Sequence, residues 1–236
     1  MKTTFAALVC LSLAACSGNG ILRKDGTRAE RPMSITAIAK SDVDEATELT
    51  QRETIASLRR LSEKLYRRNP AELQKSGAAS LEDAVADIFN PVNHWHLSAR
   101  RNLDWQASIN SAFDAGFTGD RVGALMKGLL TMIMASYDNK VEIYLLDSLD
   151  PQKLYNAARN IEIAIWRLSN GRNASGGLLL ISNGVGADGV PNLSFEREFG
   201  KLIAMQDLIA RVIEDKTNRT IRFSVINAAS LVFLPI

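Results

Sequence analysis

Val122-Gly-Ala-Leu-Met-Lys-Gly-Leu-Leu-Thr-Met-Ile-Met-Ala135 is the most apolar stretch of the chain beyond its N-terminal region. Lys127 interrupts it, and it falls short of the ~18 uninterrupted apolar residues of a membrane span, so it reads as a buried central helix. Gly119, Gly123 and Gly128 each cost about 1 kcal/mol against alanine inside a helix, a loss that a closely packed neighbouring helix offsets. Met126, Met132 and Met134 read as filler for an irregular core, the commoner use of methionine, with an adaptable binding surface as the alternative.

The flanking segments carry the same period. Between Asp42 and Arg68, Ile55, Leu58, Leu61 and Leu65 recur at helical spacing, with Glu48/Arg52 and Glu63/Arg67 four apart as surface pairs. Asn69-Pro70 restarts the chain as a short helix to about Lys75, ended by Gly77. Ser80 opens another through Leu81, Ala84, Val85 and Ile88, stopping at Asn90-Pro91. Asn102 to Ala115 continues the pattern with Leu103, Ile109, Ala112 and Phe113. Val141 to Leu146 fits either a short strand or a helical turn. Asp150-Pro151 caps a helix through Leu154, Ala158, Ile161, Ile165 and Leu168, closed by Asn170-Gly171. Gly171 to Asn192 breaks the pattern around one apolar island, Leu178 to Ile181, which is a strand or a plug beneath a loop. The last long helix starts at Ser194 and runs through Phe199, Leu202, Gln206, Ile209 and Ile213; Gln206 falls on the apolar seam and needs a partner or water. Ile221 to Val225 alternates like a half-buried strand, and Leu231 to Ile236 is an apolar run suited to docking into the core. The expected fold is mainly α: a single helical-bundle-like domain of about seven helices over 41–236, with minor β content near the C-terminus.

The N-terminus carries a different message. Lys2, an apolar core from Phe5 to Ala15 and small residues before Cys16 have the layout of a secretory signal. Leu13-Ala14-Ala15-Cys16 resembles the lipobox of bacterial lipoproteins. That resemblance implies removal of residues 1–15 and a diacylglycerol thioether on Cys16, with an amide-linked third acyl chain on its freed amine. Ser17, where an aspartate retains enteric-type lipoproteins in the inner membrane, resembles the outer-membrane class and implies a domain facing the periplasm. Cys10 and Cys16 are the only cysteines, so no disulfide forms in the mature chain, and the fold rests on its own core. Residues 16–40, rich in glycine and basic residues, read as a tether of about 24 residues whose full extension is roughly 80 Å.

Charge excludes one class of partner: 28 basic against 26 acidic residues do not make a charge-driven nucleic-acid binder. Asn93-His94-Trp95-His96 is the sharpest candidate for chemistry, because His-x-His on an extended segment puts both imidazoles on one side. A zinc site there would need Asp83, Asp87 or Asp104 as further ligands, and nothing in the spacing selects them, so no metal is expected. The alternatives are that Trp95 and Trp105 anchor a connection between helices while His94 and His96 cap or face solvent, or that Arg100 and Arg101 beside these aromatics hold a phosphate, a lipid headgroup or an envelope sugar. His94, Trp95, His96, Arg100, Arg101 and Trp105 are thus the candidate ligand-binding residues. Gly184-Val-Gly186-Ala-Asp-Gly189 matches the dinucleotide fingerprint in letters, but Val190-Pro191-Asn192 follows instead of a helix; a turn or hairpin is expected, and no cofactor. No nucleophile elbow or P-loop is present, and no catalytic set stands out. The leading expectation is a non-enzymatic envelope lipoprotein, held on a membrane by its lipid and acting on an envelope protein partner as scaffold, assembly factor or accessory subunit. An envelope hydrolase of cell-wall sugar or lipid with a site near His94 and His96 competes with it, and a carrier of small ligands or lipids is the third class.

Overall fold

Five of the helices start at a residue whose side chain accepts the N–H that the first turn leaves unpaired. The computed structural model describes residues 21–22, 28–29, 40–185, 191–222 and 232–236. Two units divide the chain, 1–39 and 40–236. In the first, β1 (Ile21–Leu22) pairs antiparallel with β2 (Arg28–Ala29). The second contains seven α-helices among its described residues, and none is long and apolar enough to cross a membrane.

Ser41 and Asp44 close a capping box at the head of α1 (Asp42–Arg68), the Asp44 carboxylate accepting the Ser41 N–H at 2.8 Å. Asn69 ends α1, and Pro70 begins α2 (Pro70–Lys75). Ser80 caps α3 (Leu81–Phe89); two 3₁₀ segments, Asn90–Leu97 and Ala99–Asn102, follow. Asp104, Asp120 and Asp150 cap α4 (Trp105–Ala112), α5 (Arg121–Ser136) and α6 (Pro151–Asn170). After the two-residue antiparallel pair β3 (Gly184–Val185) and β4 (Pro191–Asn192), α7 (Ser194–Thr217) ends at Asn218 in the left-handed conformation.

The apolar stretch that opened the sequence reading is α5, and it is the axis of the bundle, packed against α1, α2, α3, α4 and α6. Val122, Leu125, Met126, Leu129, Leu130, Met132, Ile133 and Met134 are buried, so the methionines fill the core. A Cβ at Gly128 would lie 2.6 Å from Ile109 Cγ1 and 3.0 Å from the Trp105 carbonyl oxygen. The glycine therefore lets α4 rest directly on the backbone of α5. α7 runs antiparallel to α1: Lys64 donates to the Ser194 carbonyl, Ser57 to Glu198, and Lys216 to Asp44.

Several local expectations change in this setting. Glu48 does not stand on the surface; it is buried, accepts the Ile143 N–H at 2.7 Å and meets Lys40, with Arg52 as a longer contact at 3.6 Å. The segment Val141 to Leu146 is neither strand nor helix but a turn, because Glu48 takes the Ile143 N–H while Asp138 and Asn139 leave α5 at φ of 53° and 59°. The helix expected over Asn102 to Ala115 shortens to α4. Gln206 is fully buried with no hydrogen-bond partner among the described residues. In the 171–192 break, Leu180 is the plug, and the Asn69 amide pairs with both backbone groups of Ile181, at 2.8 and 2.9 Å.

Near the C-terminus Ile221 and Arg222 form no strand, and 223–225 lie outside the described residues. Instead a ladder of amides on α6 holds the chain. Gln152 pairs with both backbone groups of Arg222, Asn160 with both of Leu234, and Asn156 donates to the Pro235 carbonyl. These residues stand four apart and share one face of the helix. Phe233 and Ile236 dock against the core as expected, Phe233 meeting Trp105 edge-on at 5.5 Å between ring centroids.

Candidate functional site

The head of α5 and the tail of α1 meet at a cleft of about 410 Å³. Asp120 faces it as the cap of α5, accepting the Gly123 N–H at 2.9 Å, and Tyr66 from α1 donates its hydroxyl to the same carboxylate at 2.6 Å. A wall of the cleft is charged but paired: Lys127 meets Asp87 at 2.6 Å, and Lys75 meets Glu72 at 2.6 Å. The Lys127 hydrogen bond holds the Asp87 carboxyl below the usual carboxylate range. Burial pushes Asp120 the other way, and the nearby Glu72 charge adds to that, against the lowering bonds from Gly123 and Tyr66. Burial and the Asp120 charge also raise Tyr66, keeping its hydroxyl a donor.

A carboxyl that burial raises above its ordinary range, beside a tyrosine hydroxyl and a lysine, is a hydrogen-bonding surface for a small polar ligand. Because Asp120 binds its proton more tightly in the folded chain than in the unfolded one, its contribution is full below the ordinary aspartate value of about 3.9 and is lost as pH rises through the folded value. An asparagine in its place would not titrate: its amide oxygen accepts the Gly123 N–H, and its amide nitrogen donates to the Tyr66 oxygen. The stability of Asp120→Asn relative to the parent is therefore expected to rise from about pH 4 toward neutrality. Urea unfolding across that range checks it, and a difference that stays flat with pH removes the argument.

A second cleft, of about 360 Å³, opens between α4 and α6. Trp166 and Phe113 supply its apolar wall, with Asn110, Asp114 and Asn170 at its rim. Arg167 is fixed between an Asn110 hydrogen bond and the Phe233 ring, 4.7 Å from the ring centroid.

The residues singled out in the sequence lie elsewhere. Trp95 is fully buried, its indole N–H donating to Asn139 Oδ1 at 2.8 Å, and Trp105 packs on Phe233. His94 and His96 are exposed on a 3₁₀ segment rather than an extended one, with a kink at His94 (φ −134°, ψ 44°). Arg100 donates to the Ile88 carbonyl and lies 3.7 Å from Asp87, while Arg101 is exposed. Trp95 is thus buried and Trp105 partly buried, with both histidines exposed. Asp83 and Asp104 serve helix heads, and among the described residues no group of three or more His, Cys, Asp or Glu is placed to hold a metal.

The sequence reading did not find Asp120 and Tyr66, which are 54 positions apart. A helix-capping aspartate before an apolar run was legible, but its tyrosine partner was not. Comparisons with protein-family models, curated proteins and solved structures find no match.

Proposed function

We propose that the protein is a lipid-anchored envelope protein that acts by binding, as a scaffold, assembly factor or accessory subunit, from the periplasmic face of the outer membrane. One observation carries this reading: Leu13-Ala-Ala-Cys16 behind a short cationic and apolar segment, with no other cysteine after it. The bundle supports it, because the ionised groups of its polar cleft are already paired with one another or with helix ends. The test is crosslinking in intact cells at native expression, followed by identification of captured proteins. Recovery of a defined envelope partner is expected; recovery of none overturns the binding role.

The Asp120 cleft favours one alternative, a hydrolase of cell-wall sugar or lipid with Asp120, half-enclosed in the cleft beside Tyr66 and raised by burial, as general acid. Asp120→Asn separates the two readings, since it keeps a hydrogen bond to each of its partners and removes only the acid. Under the binding role the cellular phenotype survives this change, and under the hydrolase role it is lost.

A further inference from the structure

The turn between α5 and α6 displays apolar side chains where a folded chain normally hides them. Leu146 is 96% exposed, Leu145 57% and Val141 38%, within six residues of one another. Around them the turn is firmly held. Ile143 and Leu149 are buried as its feet, Gln51 donates to the Lys140 carbonyl at 2.8 Å, and Glu48 accepts the Ile143 N–H. Asp147 closes the tip by accepting the Tyr144 N–H at 2.9 Å. The exposed leucines are thus presented by an ordered scaffold, and burying them elsewhere would cost little additional order.

Two further features say what covers them. The charges of the turn are paired internally: Lys140 with Asp147, and Glu142 with the Tyr144 hydroxyl. Such pairing lowers the cost of bringing the turn out of water. Lys40, the first residue of the 40–236 unit, lies over the Tyr144 ring, 5.0 Å from its centroid. The chain that leads from Cys16 therefore joins the domain at this turn, and residues 16–40 limit its distance from a bilayer to roughly 80 Å at most.

We infer that Val141, Leu145 and Leu146 form an apolar foot that inserts into the interfacial layer of the bilayer to which Cys16 is anchored, setting the orientation of the domain. The inference rests on the lipid-anchored reading above. A bilayer surface fits a small convex apolar tip better than a groove-forming partner does, and the anchor supplies the high local concentration that so few side chains need.

The test uses the full chain, processed and acylated, in vesicles of phosphatidylethanolamine and phosphatidylglycerol. With Cys16 acylated and Cys10 removed, Val141→Cys carries the only free thiol. Its labelling by a water-soluble maleimide is expected to be about tenfold slower or more than in the same chain with Leu145→Ser and Leu146→Ser, the ratio that burying one to two leucine side chains produces. Leu208→Cys on α7, where the native leucine is 63% exposed, is expected to label at one rate in both backgrounds. Equal labelling of Val141→Cys with and without the leucines, in chains that float with the vesicles, overturns the foot and leaves the anchor standing; a protein contact at the turn would give this result. Chains that do not float, and that label at Cys16 as well, overturn the anchor and the foot together.

Discussion

Replacing Arg121 by methionine is expected to destabilise the domain by about 3 kcal/mol or more, read as a lower urea midpoint at unchanged slope. The side chain is buried at the head of α5, yet its guanidinium serves the end of α4. It donates to the carbonyls of Ala112 at 2.9 Å, Asp114 at 2.6 Å, Ala115 at 3.4 Å and Phe117 at 2.7 Å. One planar cation thus satisfies the last turn of α4 and the whole turn that follows, and its charge complements the negative end of that helix dipole. Methionine keeps most of the apolar stem but leaves those oxygens without donors. The Arg121 N–H to Glu72 bond, 2.7 Å, is a backbone contact and survives the change. Arg121→Lys is expected to recover only part of the loss, because a single ammonium cannot span four divergent carbonyls. A loss below about 1 kcal/mol for Arg121→Met would mean that water replaces the guanidinium at no cost, and the bracing role would fall.

Cys16→Ala is expected to move the protein from the membrane fraction to the soluble fraction nearly completely. Acyl chains contribute about 0.8 kcal/mol per buried methylene, and two or three chains together give stable attachment. The apolar foot at Leu145 and Leu146 offers only two exposed leucines, far too little to hold the protein alone. Thermal unfolding of the 40–236 unit should not change, since Cys16 lies outside it. Fractionation of cells expressing the two forms, with fatty-acid labelling of the parent, checks both parts. Retention of Cys16→Ala in the membrane fraction at the parent level would sink the lipid-anchor reading.

The helices were legible because each has a local cause. A capping side chain at five of the seven, an apolar residue every three or four positions, and a stop at Asn-Pro or Gly for α1, α2, α3 and α6 lie within one stretch of chain. Periodicity marked Leu58, Leu61 and Leu65 as one buried face of α1. It could not show that Asp44, Thr47, Thr54, Ser57 and Ser62 are buried as well. Those polar residues go inside because α7 and the 137–149 turn cover the rest of the helix. The His-x-His motif misled for a related reason: spacing of two aligns side chains on a strand, and the flanking prolyl turn wound this segment into a 3₁₀ helix instead.

The sequence by itself determined the number and order of the helices, the centrality of the Val122–Ala135 stretch and the resemblance at Cys16, since all three depend on residues close together in the chain. Only the tertiary structure decided which side chains meet. Asp120 with Tyr66, Arg121 with the end of α4, the α6 amides with the C-terminal backbone, and the leucine tip beside Lys40 all join distant positions. Hydrogen bonds and packing act over a few ångströms in space, and one sequence of amino acids carries no record of which distant residues will share them.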